Sequence, residues 1–426
     1  GIPEYNRNNN TLRTEGAFKT VEPVRFKFLS SIDHPDYSQL FWIPLVGWNE
    51  YNKWMLGVSA HNQTLPRKHF QWQVSPMYSF VNGTLNGFGS MEYDNGRMGA
   101  GVQLKRFAHG SFPFNSETYV RSYDVIAPYL RAKLFANRVR KDWSGEARLT
   151  YYSIGEMVKD TPKPIFSDYT VIDQVQGKGV RAAQWRGQAS IQKKFTRSVI
   201  RFNSLVEIGD FTDNRVVHQH SLEHDWVYYG KGKKKIKSRL YAASSDGFYL
   251  NAAGQFGGSR YNSDSPYNSL RGDYLYEGLF LGRDQATGLM SQQFMRTQGG
   301  LAAPTAQSAS RSLFSLNVEI ELPVKLPLAL YGGVAALKNE RYIIGDGNEN
   351  ELTILATNIN RRWLFNGGVS ASIIPNVLKV YIPIVYSQSI KDEVDARELN
   401  FGQTIMFEFN IATMNPFRIA AKNINP

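Results

Sequence analysis

Residues 70–80 read Phe70-Gln71-Trp72-Gln73-Val74-Ser75-Pro76-Met77-Tyr78-Ser79-Phe80. Successive side chains of a strand point to opposite faces, so Phe70, Trp72, Val74, Pro76, Tyr78 and Phe80 share one face and Gln71, Gln73, Ser75, Met77 and Ser79 the other. The period is two, and the stretch is a strand. In residues 314–322, Phe314, Leu316, Val318, Ile320 and Leu322 alternate with Ser315, Asn317, Glu319 and Glu321. Ala183, Trp185, Gly187, Ala189 and Ile191 alternate with Gln184, Arg186, Gln188, Ser190 and Gln192. Near the C-terminus Ile405, Phe407, Phe409 and Ile411 alternate with Met406, Glu408 and Asn410.

A soluble sandwich also alternates, and three details separate the two readings. The strands run to about 10–14 residues, against roughly 5–6 in soluble sheets, and this suits a tilted bilayer crossing. Arg, Lys, Glu and Gln stand in mid-strand on the polar face, which fits a wet lumen. Trp42, Trp48, Trp54, Trp143 and Trp363 fall towards strand ends, where a membrane girdle would place them. The fold class is therefore all-β, a closed transmembrane antiparallel β-barrel with Phe70, Trp72, Val74, Phe407 and Phe409 facing lipid and Gln71, Gln73, Glu319 and Glu321 facing the lumen.

Composition agrees. The chain has 426 residues, 13% of them aromatic, and no Cys, which excludes a disulfide framework and thiolate chemistry. No window reaches the roughly 18 uncharged apolar residues of a spanning helix. The chain opens on Gly1-Ile2-Pro3, which reads as a mature or cut product with its export signal upstream. The formal charge is +12, but the basic residues are spread over strands and loops rather than gathered on a helix or aromatic platform, so nucleic acid is not an expected partner.

Sixteen strands are expected, over 38–47, 54–61, 70–80, 85–93, 97–107, 119–134, 144–154, 182–195, 198–209, 218–229, 236–245, 311–322, 328–338, 362–374, 377–388 and 400–411. An even count suits a bacterial barrel. The long connections (155–181, 246–310, 339–361 and 389–399) all fall at one end, and the short turns, such as 94–96 and 375–376, mostly at the other. Long loops outside and short turns in the periplasm are the outer-membrane arrangement. Residues 1–37 read as a periplasmic linker or extended lead-in, 38–411 as the barrel and 412–426 as a periplasmic C-terminal tail.

The connection between strands eleven and twelve carries Asn268-Ser269-Leu270-Arg271-Gly272-Asp273-Tyr274. This resembles the superfamily of outer-membrane insertases and two-partner-secretion translocators, whose sixteen-stranded barrels carry an Arg-Gly motif on that loop. The resemblance implies that the loop, with Leu270, Arg271 and Gly272, folds into the lumen, and that Arg271 meets Glu319, with Glu321 nearby. Two positions depart from the family pattern: Asp273 stands where an aromatic residue is expected, and Gly332-Gly333 where an acidic residue is usual. Phe41-Trp42-Ile43-Pro44-Leu45-Val46-Gly47-Trp48-Asn49, Met55-Leu56-Gly57 and Ser75-Pro76-Met77-Tyr78 resemble the C-terminal barrel region of Bacteroidota aminopeptidase-N-like (gluzincin) metallopeptidase proteins. This second resemblance implies a periplasmic zinc-peptidase domain upstream of Gly1.

The chain has no His-Glu-x-x-His and no nucleophile-elbow sequence, so no catalytic site and no cofactor are expected within it. His218, His220 and His224 share one strand face, and His218 and His220 are a weak metal candidate. Five lysines in residues 230–237 read as a solvated periplasmic turn or an electrostatic contact with a partner or lipid headgroups. The expected function is an outer-membrane barrel that anchors a periplasmic peptidase-like domain, its lumen occluded by an insertase-like loop. The alternatives are a protein translocator or insertase, or a structural subunit of an outer-membrane complex. Expected partners are outer-membrane lipid and other outer-membrane or periplasmic proteins.

Overall fold

The computed structural model describes residues 23–34, 37–49, 51–114, 117–135, 142–158, 181–210, 215–230, 234–246, 294–295, 300–303, 312–345, 353–374, 377–396 and 398–409. The strands are β1 (Val24–Phe28), β2 (Ser38–Asn49), β3 (Lys53–His61), β4 (Phe70–Ser79), β5 (Thr84–Asp94), β6 (Met98–Phe114), β7 (Glu117–Leu134), β8 (Trp143–Val158) and β9 (Arg181–Lys194). They continue as β10 (Ser198–Asp210), β11 (Arg215–Tyr229), β12 (Lys234–Asp246), β13 (Phe294–Met295), β14 (Ser312–Glu321), β15 (Leu328–Gly345), β16 (Thr353–Ile374), β17 (Leu378–Tyr386) and β18 (Met406–Phe409). Helices α1 (Gln388–Ala396) and α2 (Phe401–Thr404) lie between β17 and β18.

From β2 to β12 and on through β14 to β18 each strand pairs antiparallel with the next, giving sixteen strands in meander order among the described residues. They correspond one to one with the sixteen expected. The sheet curls: Lys379 on β17 forms an ion pair with Glu319 on β14, three strands away. On a flat sheet those strands would lie about 14 Å apart.

The two faces fall as the alternation predicts. Phe70 and Val74 on β4 are about half exposed on the outside, while Gln71, Ser75 and Ser79 are buried inside. On β14 Phe314, Leu316, Val318 and Ile320 are exposed, whereas Leu313 and Ser315 are buried and Glu319 and Glu321 meet inward-facing lysines. Met406 is buried beside Tyr331 and Tyr381, which leaves Phe407 on the outer face. The side chain of Phe409 is outside the described residues.

Three expectations need correction. The first and last of the sixteen strands do not close the barrel: among the described residues no ladder joins β2 to β18. Both of those edges are already taken by short strands, as described below. The connection read as 339–361 shrinks, because β15 and β16 stay paired out to Gly345↔Thr353. Lys338-Asn339-Glu340-Arg341 is polar on both faces, so alternation stops marking the strand where it leaves the apolar layer. The segment read as strand 400–411 begins with α2, capped by Asn400, whose Oδ1 accepts from the Gln403 amide at 3.1 Å while Gln403 Oε1 accepts from the Asn400 amide at 2.9 Å.

The described end of the long connection between β12 and β14, residues 300–303, lies inward. It places Leu301 and Ala303 in a fully buried cluster with Tyr241, Leu313, Ala335, Leu337 and Leu364. Asn317 Nδ2 donates to the Gly300 carbonyl at 2.8 Å, and Asn366 Nδ2 to that of Ala302. Gly333 makes the room: a Cβ there would stand 2.4 Å from Asn317 Oδ1 and 2.7 Å from Leu301 Cδ2. This is the physical sense of Gly333, where the insertase pattern has an acidic residue nearby. Helix α1 closes the same cluster with Ile390 and Val394, one turn apart on its buried face. A second apolar cluster, around Met55, Met77, Phe107 and Tyr123, fills the inner face of β3 to β8. With the inner face so filled, planar-bilayer recordings of the intact protein should show small or no conductance; a stable large pore would contradict the packing.

Candidate functional site

Two features of the sheet can do work: the seam between β2 and β18, and the ionic network on the inner face beneath the apolar plug. At the seam, β1 lies parallel to β2, from Val24↔Ser38 to Phe28↔Trp42. Across the gap, β13 lies parallel to β18, with two pairs among the described residues, Phe294↔Phe407 and Met295↔Glu408. In hydrocarbon an open strand edge leaves backbone N–H and C=O groups unsatisfied at several kcal/mol each. Each edge is therefore covered by a short strand rather than by the other edge.

β1 belongs to the stretch read as a lead-in, and its own alternation could have found it. Val24, Phe26 and Phe28 are exposed on one side, and Arg25 and Lys27 turn to Tyr37 on the other. Lys27 Nζ donates to Tyr37 Oη at 3.0 Å, and that hydrogen bond holds the phenol below its usual pKa. The Arg25 guanidinium sits 4.2 Å from the centre of the same ring. Beyond β1, the Asp33 amide donates to Leu65 O at 3.0 Å and Lys68 pairs with Asp33 at 3.0 Å, so the turn after β1 is fastened to the β3–β4 connection.

The inner network centres on Glu319. Lys237 Nζ stands 3.2 Å from one of its oxygens and 2.8 Å from Glu321, and Lys379 holds the other Glu319 oxygen. The Lys235 amide donates to Glu321 Oε2 at 3.1 Å. Lys379 lies over the Tyr381 ring, and Tyr381 Oη donates to Glu408 at 2.7 Å. Further round the sheet Arg201 bridges Asp225 at 2.8 Å and Glu223 at 3.4 Å. Glu207, fully buried, is held by Arg186 and by Gln184 Nε2 at 3.0 Å. Arg131 pairs with Asp94 at 2.6 Å and with Glu92, which also accepts from Tyr129 Oη at 2.7 Å.

Of the residues singled out in the sequence, Glu319 and Glu321 are brought together on the inner face as expected. Leu270, Arg271 and Gly272 lie outside the described residues, and with them the Arg271–Glu319 pair. The described partners of Glu319 are lysines, and the sequence reading missed both. The lysine-rich run 230–237 overlaps the expected strand 236–245; the strand begins two residues earlier, so Lys234, Lys235 and Lys237 all belong to β12. Their strand membership was legible in Lys237-Ser238-Arg239-Leu240-Tyr241, where charges alternate. His218 and His220 do share a face, with rings 6.3 Å apart, but it is the outer face, in line with exposed Leu222.

Sixteen antiparallel strands with an apolar outside and an ion-paired inside define a membrane-spanning β-barrel of the bacterial outer membrane. No family model matches the sequence, and no curated protein matches it. Solved structures are similar at a distance. CdiB from Acinetobacter baumannii is 10% identical with a TM-score of 0.39, over 84% of this chain and 60% of that one. CdiB from Escherichia coli is 12% identical with a TM-score of 0.37, over 90% and 66%. BamA from Haemophilus ducreyi lacking POTRA domains 1-3 is 11% identical with a TM-score of 0.38, over 82% and 69%. The chain thus spans less than two thirds of the two CdiB chains it matches.

The network makes an energetic prediction. Glu319→Ala leaves Lys237 with Glu321 alone and takes from Lys379 its carboxylate, and should cost about 3 kcal/mol. Lys237, 40% exposed, can relax towards water, whereas Lys379, 18% exposed, cannot do so as readily. Lys379→Met should therefore destabilise more than Lys237→Met, and Glu319→Ala combined with Lys379→Met should cost less than the sum. The temperature at which the folded band is lost on unboiled gels reads all four variants; strict additivity would remove the coupling.

Proposed function

We propose that the chain is a barrel of the outer-membrane insertase and translocator kind, acting on other polypeptides through the seam. The observation that carries the reading is the unpaired junction of β2 and β18. Among the described residues β18 meets β17 through four pairs and β13 through two, and no ladder joins it to β2. A strand edge that does not meet its barrel partner is a template on which another chain can pair by β-augmentation. The Leu270-Arg271-Gly272 motif and the inward course of residues 300–303 support the same kinship.

The cysteine-free chain makes a clean test. Phe26→Cys with Leu40→Cys joins β1 to β2 at paired positions, and Phe294→Cys with Phe407→Cys joins β13 to β18. In proteoliposomes the unmodified protein should speed the folding of an added, urea-unfolded outer-membrane protein. Oxidising either pair should abolish that gain and reduction restore it. A gain that survives both locks would sink the seam as the working site.

A second reading, compatible with the first, is that the barrel anchors a periplasmic zinc-peptidase-like domain. The filled inner face favours it, because a plugged barrel holds cargo at the membrane without leaking. Protein taken from native membranes should then carry a zinc-dependent aminopeptidase activity that sediments with the barrel and is released by a protease cutting ahead of β1. Activity absent before and after cleavage would dispose of the anchor role.

A further inference from the structure

On the outer face, the register of five neighbouring strands lines up three successive rungs whose chemistry changes in order. The lowest is Leu222, Leu240, Leu316, Val334 and Phe365, paired strand to strand across β11, β12, β14, β15 and β16. All five are exposed, and all are apolar. Two residues along each strand the next rung is His220, Ala242, Phe314, Ala336 and Trp363. Here large rings alternate with alanines, so the rung is a row of ridges and hollows; Phe314 is 51% and Trp363 69% exposed. The third rung is His218, Ser244, Ser312, Lys338 and Arg361, polar throughout and basic at one end.

These two upper rungs line one outward groove of about 640 Å³. The strands reach it as they run towards the end that carries the long connections, the extracellular end of such a barrel. The gradient from aliphatic through aromatic to cationic matches that of an outer leaflet, from acyl chains to headgroup. Among the described residues neither Lys338 nor Arg361 meets a carboxylate, although they stand side by side on adjacent strands. Two like charges opposite one another repel, and an anion between them relieves that cost.

We propose that this groove is a binding site for the phosphate-bearing glycolipid of the outer leaflet. Its phosphate sits between Lys338 and Arg361, hydrogen-bonded by Ser312 or His218, and its acyl chains descend through the hollows over Ala242 and Ala336 between Phe314 and Trp363. Five strands give a width of about 19 Å, room for several acyl chains side by side. The site depends on neither the seam nor the inner plug, so it stands or falls apart from the proposed function.

The test uses the whole chain in detergent, titrated with lipid A, reading tryptophan emission as the difference from Trp363→Phe. Lipid A should shift the Trp363 emission to the blue. Lys338→Gln and Arg361→Gln should each raise the half-saturating concentration about fivefold. Lipid A stripped of its phosphates should bind the unmodified protein as weakly as lipid A binds the double variant. Ala336→Leu, which fills a hollow on the exposed face and leaves the inner packing alone, should weaken binding with both cations in place. Equal binding of the phosphorylated and stripped lipids would overturn the proposal. So would full competition by inorganic phosphate, which would assign the site to the free anion.

Discussion

Every backbone N–H and C=O in the hydrocarbon layer must find a partner within the protein, because no water is there to supply one. The sixteen-strand meander meets this demand strand by strand until the two ends of the sheet, where among the described residues no ladder joins β2 to β18. The structure answers with two parallel patches, five pairs of β1 on β2 and two of β13 on β18. The patches are unequal. β1 is clamped by Lys27 and Arg25 against Tyr37 and by the tie to Leu65, whereas β13 has no such support among the described residues. Among the described residues the β13–β18 patch has the fewest pairs, and the function proposed for the protein builds on that inequality.

The inside obeys a different rule. Charges taken out of bulk water persist only when paired, and the inner face pairs them across strands rather than along them. Glu319 gathers cations from β12 and β17, Arg201 two carboxylates from β11, and Arg131 two from β5. Such links span the curled sheet and hold its curvature. They lie towards the short-turn end, while Leu301, Ile390 and Val394 pack an apolar plug nearer the long connections. The plug is built from segments that are not barrel strands, and Gly333 gives up its side chain to admit one of them.

What the sequence determined by itself was whatever repeats with the strand period. Phe70 to Phe80 and Phe314 to Leu322 assign both faces, and the sixteen strands, the two classes of connection and the inward aim of Glu319 and Glu321 follow from them. Alternation failed where the sequence lost its half-apolar pattern: Lys338-Asn339-Glu340-Arg341 is polar at successive positions, and at 388–404 the chain turns helical over a short buried face. The tertiary structure alone decided which partners meet. Period two says that Lys237, Glu319 and Lys379 face inward, but only the curl of the sheet brings β12, β14 and β17 close enough to share one carboxylate. It likewise decided that β2 and β18 stay apart, because closure is a property of the whole circumference, summed over sixteen strands and two short intruders, and no local pattern of residues encodes it.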